Sequence, residues 1–370
     1  MTHLLDLLRN GAAFVLVLGT LVFVHEMGHY LAARWRGVYV EAFSIGFGPK
    51  IVSWTDRVGT VWKLSWLPLG GYVKLHGQER PEDVAPEVRA GWMPGRTFHS
   101  KGVGSRAIVV AAGPIANFLL AALLFAALFM AVGRPVPVVG PVLGEVLPGT
   151  AAARAGLQTG DRIESIDGAE IPSFAELRRV VSGKPGQTVQ LGVRRDGQVR
   201  TVPAVIESAG KDGAEQGKLG VQGAVEYQRS GPIDAVAAGV TQTWDVTAAT
   251  LAGVGQMLSG TRTTEELSGP LGIAKLSGQV ARLGLVSLVS FIAVLSVNLG
   301  LINLFPIPVL DGGHLLFYLA EAVRGRPLPP RMQEYGFRAG VALLAGLFVF
   351  ATWNDLSHMG LFRWVSGLIG

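Results

Sequence analysis

The stretch "FVHEMGHYLAARW", residues Phe23–Trp35, places two histidines and a glutamate at the end of an apolar run. The run before it, Gly11–Val24, contains no Asp, Glu, Lys or Arg. Ionisable side chains are costly in such surroundings and usually serve a function there. His25, Glu26 and His29 fit the pattern H-E-x-x-H. On a helix, residues four apart point the same way, so both imidazoles can share a metal ion while Glu26 accepts a proton from water beside it.

The composition is that of a membrane protein. Of the 370 residues, 49% are hydrophobic and only 16% are charged, which is too apolar for an ordinary soluble domain of this length. Besides Gly11–Val24, three stretches lack charged residues: Ala107–Gly133, Leu283–Leu310 and Ala339–Asn354. About 20 apolar residues cross a bilayer, so we predict four spans. There is no cysteine, which excludes disulfides and thiolate metal sites.

The distribution of charge predicts the orientation in the membrane. Between Arg34 and Arg106 there are 11 Lys/Arg and 6 Asp/Glu, whereas Arg134–Arg282 contains 15 of each. The positive-inside rule places the first of these segments in the cytoplasm. Arg324, Arg326, Arg331 and Arg338, between the third and fourth spans, agree with this assignment. We therefore expect both termini and the long middle segment on the outer side.

A secretory signal peptide is an alternative interpretation of the N-terminal apolar run. Its first residues carry Asp6 beside a single Arg9, and no small-x-small cleavage site follows the run. The H-E-x-x-H residues lie where cleavage would be expected. These features favour a membrane span.

Two segments between the first and second spans are predicted to be extended. Val38–Trp54 and Val61–Gly77 mix β-branched and aromatic residues with Gly and Pro, and suggest a small sheet at the cytoplasmic interface. Trp54, Trp62 and Trp66 are typical of the boundary between lipid and water. The Pro-rich and charged stretch Glu79–Gly95 is predicted to be a loop.

The region from Pro137 to Tyr227 has the composition of a soluble domain. Its most specific part, "AGLQTGDRIESIDG" (Ala155–Gly168), resembles a PDZ domain of the bacterial protease type, of which there is one copy. Such modules bind extended chain ends by adding a strand to a sheet edge. In the next segment, Ser230–Ser259, apolar and polar residues alternate at helical spacing. This pattern predicts amphipathic helices on the outer membrane surface or a packed pair of soluble helices.

A catalytic zinc usually has three protein ligands and one open position, so a third ligand is expected at membrane depth. The candidates are Asp311 and His314, which close the third span, and Glu321 farther along. Pro306 and Pro308 prevent a continuous helix there, and broken backbone at this depth is tolerated where it lines a cavity. The break brings Asp311 nearest to the membrane interior.

Three motifs together resemble the site-2 protease family of intramembrane zinc metalloproteases. They are H-E-x-x-H in the first span, "GPIAN" (Gly113–Asn117) in the second and "NLFPIPVLDG" (Asn303–Gly312) in the third. With the PDZ-like module, the chain is similar to the branch of the regulator of sigma-E protease, whose best-known members have two PDZ copies. The resemblance implies one Zn²⁺ per chain held by His25, His29 and Asp311, Glu26 as the general base, and Asn303 near the substrate.

The resemblance also implies a cellular setting. It places the chain in the bacterial inner membrane, with both termini and the PDZ-like module in the periplasm. The implied substrates are single-span membrane proteins such as anti-sigma factors, and signal peptide remnants, cut within the lipid bilayer. Because the charge count places the PDZ-like module outside, we expect it to filter substrates by the size of their outer domains; binding of peptide ends is the alternative. Nucleic acid is not an expected partner.

A substrate helix must unwind before its peptide bonds can be cut, and an exposed strand edge could hold the unwound segment. The candidate edges are "SIGFGP" (Ser44–Pro49), with Gly46 and Gly48, and "PLGGYVKL" (Pro68–Leu75), with Gly70 and Gly71. An interface hairpin without substrate contact is the alternative.

Two other functions compete with proteolysis. A catalytically idle membrane chaperone or adaptor with a PDZ peptide-binding domain would be expected to have lost Glu26 or Asp311, and both are present. A channel or transporter would be expected to show repeated half-structures, and the sequence contains no internal repeat.

The predicted fold is an α-helical polytopic membrane protein with four transmembrane helices, a small cytoplasmic-side β-sheet and an inserted α+β PDZ domain. The predicted segments are 1–36 for the first span, 37–104 for the sheet and loop, 105–133 for the second span, 137–228 for the PDZ domain, 229–282 for the amphipathic helices, 283–312 for the third span, and 313–370 for a short helix, the fourth span and the tail.

Overall fold

The computed structural model describes residues 2–79, 84–209, 215–261 and 269–358, which form two compact units. The first unit comprises residues 1–128 and 232–370, and the second comprises residues 129–231. The helices are α1 Thr2–Trp35, α2 Pro86–Ala90, α3 Val103–Ala131, α4 Ala151–Arg154, α5 Phe174–Ser182, α6 Pro232–Leu258, α7 Pro270–Arg282, α8 Leu285–Leu304, α9 Asp311–Arg324 and α10 Pro330–His358. The strands are β1 Val40–Thr55, β2 Val61–Leu75, β3 Arg134–Pro137, β4 Leu143–Val146, β5 Arg162–Ile166, β6 Ala169–Glu170, β7 Thr188–Arg195, β8 Gln198–Val205, β9 Glu207–Ala209, β10 Gln216–Lys218, β11 Val221–Gly223 and β12 Val225–Gln228.

Four helices of the described chain are long and apolar enough to cross a membrane: α1, α3, α8 and α10. Each of them overlaps one of the four uncharged stretches of the sequence. The backbones of α1 and α3 pack closely, since a Cβ added at Gly28 would lie 2.2 Å from the carbonyl oxygen of Ala112. Glycine therefore allows the H-E-x-x-H turn of α1 to contact α3 directly.

The third apolar helix ends where the prolines require it to end. Helix α8 stops at Leu304, Phe305 is extended, and α9 begins at Asp311. Within the connection, Val309 has φ of 123°, a strained conformation for a β-branched residue. Helix α10 supports this loop, because a Cβ added at Gly340 would lie 1.7 Å from the carbonyl oxygen of Pro308.

Strands β1 and β2 form a sheet that folds back on itself. The first half of β1 pairs with β2 on both sides: Ser44 is opposite both Tyr72 and Lys63. The second half of β1, residues 50–55, pairs with residues 61–65 of β2. Residues 71–75 of β2 therefore form one edge of the sheet, and residues 50–55 form the other. Apolar residues of this sheet pack against α1 and α3 in one core that includes Tyr30, Phe43 and Val109.

The segment predicted to be amphipathic contains two helices, and each has the long apolar helices as its main partners. In α6, Thr250 donates a hydrogen bond to the Asn298 side chain of α8 at 3.0 Å. Helix α7 packs on the first turns of α1, and Asp355 of α10 accepts hydrogen bonds from the N–H groups of Gly269 and Gly272 at the start of α7. The two helices thus pack mainly on the apolar helices, and their location relative to the membrane surface stays a prediction.

The second unit is rich in strands. Its largest sheet has the strand order β6-β5-β7-β8, and buried Ile, Leu and Val side chains fill the core below it. Helix α5 begins at a Ser173 N-cap, whose hydroxyl accepts a hydrogen bond from the N–H of Glu176. Asp161 is almost fully buried and accepts hydrogen bonds from Arg195 and from the N–H of Gln158.

The buried pair of Asp161 and Arg195 should make the second unit sensitive to acid. Burial alone would raise the pKa of the Asp161 carboxyl, but Arg195 and the N–H of Gln158 lower it below its ordinary value. The ionised carboxylate therefore stabilises the folded state above the ordinary pKa of about 4, and this stabilisation is lost as the pH falls through the lowered value.

Arg195→Ala leaves the buried carboxylate unpaired and should reduce the free energy of unfolding by about 3 kcal/mol at pH 7. Amide hydrogen exchange of β5 and β7 in the full-length chain measures this loss, which should shrink near pH 3. Arg179→Ala is the matched control, because Arg179 pairs with Glu176 on the exposed surface. Equal exchange in the two variants at pH 7 would contradict the assignment.

Candidate metal centre

The two histidines of α1 lie one turn apart on the same face of the helix. Their Nε2 atoms are 3.2 Å apart, and their rings meet edge to face. Asp311, the first residue of α9, places Oδ2 at 3.2 Å from Nε2 of His25 and at 3.4 Å from Nε2 of His29. The break after α8 thus delivers a carboxylate to the two imidazoles.

The three side chains fit a metal ion. One ligand atom from each of His25, His29 and Asp311 can be chosen so that all lie within 4.8 Å of one another, and they are the metal-capable cluster of the described chain. Asp311 Oδ2 is buried and has no hydrogen-bond partner in the described residues, although both Nε2 atoms are close. A carboxylate oxygen without a hydrogen-bond partner that faces two imidazole nitrogens is what a cation requires. Two imidazole nitrogens and a carboxylate oxygen suit zinc, and leave a fourth position open.

One face of α3 contacts both imidazoles. His29 Nδ1 lies 2.8 Å from the carbonyl oxygen of Val109, and His25 Nδ1 lies 3.1 Å from the amide nitrogen of Asn117. Between these contacts, a Cβ added at Gly113 would lie 2.2 Å from His29 Nε2. The residues at 109, 113 and 117 follow a spacing of four, and therefore share one side of the helix.

Glu26 lies between the histidines and the sheet. Its side chain is buried, and its carboxylate lies next to the backbone N–H of Val73. A Cβ added at Gly71 would lie 2.9 Å from Cγ of Glu26, so glycine allows the strand to approach. The edge of β2 at residues 71–75 therefore borders the metal centre.

A cavity of 1130 Å³ contains the site. His25, Glu26, His29 and Asp311 line it, together with Tyr72 and Val73 of the edge strand. A space of this size accommodates an extended peptide segment beside the carboxylate and the imidazoles.

Only some of the other site residues predicted from the sequence line this cavity. His314 and Asn303 line the cavity, but His314 is not part of the converging cluster. Glu321 pairs instead with Arg106 at 2.6 Å, which separates it from the histidines. Gly70 and Gly71 line the cavity, whereas Gly46 and Gly48 are not among the described residues that do so.

Sequence reasoning missed the contacts that α3 makes with the histidines. The "GPIAN" motif marked this part of the chain only through a family resemblance. The signal was available in Asn117, which is the one polar side chain between Ala107 and Ala131. The sequence alone did not identify the helix that this side of α3 contacts.

Comparisons with known proteins agree with this geometry. The family model described as "Peptidase family M50" matches residues 13–347. "Putative zinc metalloprotease R01501" of Rhizobium meliloti is 45% identical, over 97% of this chain and all of that protein. "Metalloprotease MmpA" of Caulobacter vibrioides is 36% identical, over 96% and 97%. "Regulator of sigma-E protease RseP" of Escherichia coli is 33% identical, over 96% and 100%.

Among solved structures, the PDZ domain of an SdrC-like protein from Listeria monocytogenes is similar to 24% of this chain and 90% of its own, at 24% identity and a TM-score of 0.20. The match to the family model covers most of the chain, and the similarity to the relatives extends over nearly its whole length. The chain therefore belongs to peptidase family M50, the site-2 protease family, and is a zinc metalloprotease that acts within membranes.

Proposed function

We propose that His25, His29 and Asp311 hold the zinc ion of this protease and that Glu26 is its general base. The observation that carries the proposal is the convergence of Asp311 Oδ2 on the two Nε2 atoms, at 3.2 and 3.4 Å, without a completed hydrogen bond. His314 is the weaker candidate for the third ligand, because it lies outside this cluster.

Peptide hydrolysis requires a base and a polarised carbonyl. When bound, zinc acts as a Lewis acid on the scissile carbonyl and makes water more acidic. Glu26 accepts the proton of the attacking water and delivers it to the leaving amine. The backbone N–H of Val73 lies next to the Glu26 carboxylate, which lines the cavity.

Residues 71–75 of β2 form the proposed docking edge for the unwound substrate. This segment has β1 on one side only, and its other side borders the cavity. Strand addition there would place substrate backbone next to Glu26. The register favours this edge over Ser44–Pro49, since Ser44 lies between two segments of β2. Asn303 lines the same cavity and is the proposed polar contact for the substrate.

The proposed substrates are single-span membrane proteins of the anti-sigma factor type and signal peptide remnants. This proposal is supported by the 33% identity to the regulator of sigma-E protease. The four apolar helices and the Lys/Arg surplus of residues 34–106 support an inner-membrane location with both termini and residues 137–228 on the periplasmic side.

A first prediction separates the base from the ligands. Glu26→Gln keeps the shape of the side chain but cannot accept a proton, so cleavage of a model transmembrane substrate should fall by at least about 10²-fold while zinc content stays near one per chain. Asp311→Ala should lower zinc content as well as cleavage. Zinc is measured by elemental analysis of purified protein.

His314→Ala is the matched control for Asp311→Ala, because both residues belong to α9 and line the cavity. Zinc loss in His314→Ala with normal zinc in Asp311→Ala would transfer the third-ligand role to His314. Retained cleavage in Glu26→Gln would exclude it as the base.

A second prediction concerns the space that α3 leaves for His29. In Gly113→Ala the new methyl would lie 2.2 Å from Nε2, so the imidazole must move away from the metal centre. The affinity for zinc, measured by competition with a chelator, should fall by about 10–100-fold, comparable with the loss of an outer contact to a ligand. Gly104→Ala is the control, since it lies in the same helix with nothing within 4 Å. Equal affinities would contradict the packing role.

A third prediction tests the docking edge, and uses the absence of cysteine from the chain. Tyr72→Cys introduces a single thiol on the edge strand that borders Glu26. It should form a disulfide with a cysteine placed near the scissile bond of a substrate trapped on Glu26→Gln. Ser53→Cys is the control on the opposite edge of the same sheet. Equal crosslinking from both positions, or crosslinking only from Ser53→Cys, would contradict docking at residues 71–75.

A further inference from the structure

We infer that Asn117 is a positioning residue for His25. Its side-chain oxygen accepts a hydrogen bond from Nδ1–H of the imidazole, and this leaves the unprotonated Nε2 facing the metal. The inference rests on the proposed function, since it takes His25 as a zinc ligand. It assigns a role to the last residue of the "GPIAN" segment, which the proposed hydrolysis does not use.

The surroundings of Asn117 fix its side chain in place. The residue is fully buried, and its backbone carbonyl accepts a hydrogen bond from the Ser296 hydroxyl at 2.8 Å. Helix α8 packs directly against it, because a Cβ added at Gly300 would lie 3.3 Å from Cβ of Asn117. An amide held between two helices has little freedom to leave the imidazole, whose Nδ1 lies 3.1 Å away.

The chemistry of the imidazole selects the orientation of the amide. If the Asn117 nitrogen donates to Nδ1, the proton of neutral His25 must sit on Nε2, and this atom cannot then bind a cation. A half-turn of the amide brings Oδ1 to the same place, where it can accept the Nδ1 proton. In the present orientation Oδ1 is buried and has no partner within the described chain. The half-turn gives this oxygen a donor and leaves the lone pair of Nε2 facing Asp311.

The second histidine already has the equivalent arrangement. His29 Nδ1 lies 2.8 Å from the carbonyl oxygen of Val109, which can only accept, so the proton of neutral His29 is on Nδ1. Asn117 and Val109 are eight residues apart on one face of α3. The two contacts give both imidazoles the same tautomer, which is the requirement for a metal shared through both Nε2 atoms.

The test compares three substitutions in the full-length, detergent-solubilised protein after removal of metal. Asn117→Leu has a similar volume and no acceptor, and should lower zinc affinity about 10–100-fold, measured by chelator competition. Asn117→Asp keeps the acceptor and should retain affinity within a few-fold. Asn298→Leu is the matched control, because Asn298 bonds Thr250 and does not touch the histidines; its affinity should equal that of the wild type.

A spectroscopic measurement separates positioning from general stability. The visible absorption bands of the protein loaded with Co²⁺ should change in Asn117→Leu and remain as in the wild type in Asn298→Leu. If Asn117→Leu does not yield folded protein, Asn117→Ala provides the same test. Unchanged zinc affinity and an unchanged Co²⁺ spectrum in the variant without an acceptor would overturn the inference, as would an equal loss of zinc affinity in Asn117→Asp.

Failure of the proposed ligand set can be distinguished from failure of the role proposed for Asn117. If Asp311→Ala and His25→Ala bind zinc as the wild type does, the ligand set is wrong and the role of Asn117 falls with it. If those variants lose zinc while Asn117→Leu retains it, the ligand set stands and only the positioning role is wrong.

Discussion

The contact of the Asp311 carboxylate with two imidazoles is the constraint on which the rest of the structure depends. Ionisable groups in apolar surroundings must be satisfied by one another or by a bound ion, because water is not there to solvate them. The Nδ1 atoms of His25 and His29 face partners on α3, so the inner Nε2 atoms and Asp311 Oδ2 are left facing each other. In the proposed metal site, a divalent cation would remove this unfavourable arrangement. Such a site requires α1, α3 and α9 to meet at one point.

Glycines allow these helices to pack closely. Where lipid surrounds the helices, close van der Waals packing drives association, and small residues let backbones approach. Gly28 places α1 on α3, Gly312 places the start of α9 on the carbonyl oxygen of Leu304, and Gly340 places α10 on Pro308. The geometry of the metal centre is consequently set by contacts to main-chain atoms, which cannot relax by changing rotamer. The strain at Val309, two residues before Asp311, is maintained by these same contacts.

The elements of the fold that depend on local rules could be predicted from the sequence, and those that depend on distant pairing could not. The four apolar helices follow from length and hydrophobicity, and the end of α8 follows from two prolines. The proline break favoured Asp311 over His314 and Glu321, but the direction of the chain after the break has no local signature. Glu321 is instead paired with Arg106, which lies 215 residues away in the sequence, and this pairing argues against Glu321 as a metal ligand. Likewise, β-branched and aromatic residues predict strands at β1 and β2, but the irregular register that places segments of β2 on both sides of β1 depends on bulges that residue types alone do not specify.

Docking at the free strand edge, as proposed, would allow a protease to act on helices without recognising a particular sequence. A membrane helix that unwinds loses backbone hydrogen bonds, and each unpaired group in an apolar medium costs several kcal/mol. A strand edge replaces these bonds through main-chain atoms, which every substrate possesses. Since residues of a strand repeat at about 3.3 Å, pairing with residues 71–75 would fix the distance of each substrate carbonyl from Glu26. Selection of the bond would then depend on where the substrate helix unwinds most easily, and side-chain contacts would adjust that choice only secondarily. Val73 has a place in both tasks in this scheme, because its N–H lies next to the proposed base and its strand forms the proposed docking edge.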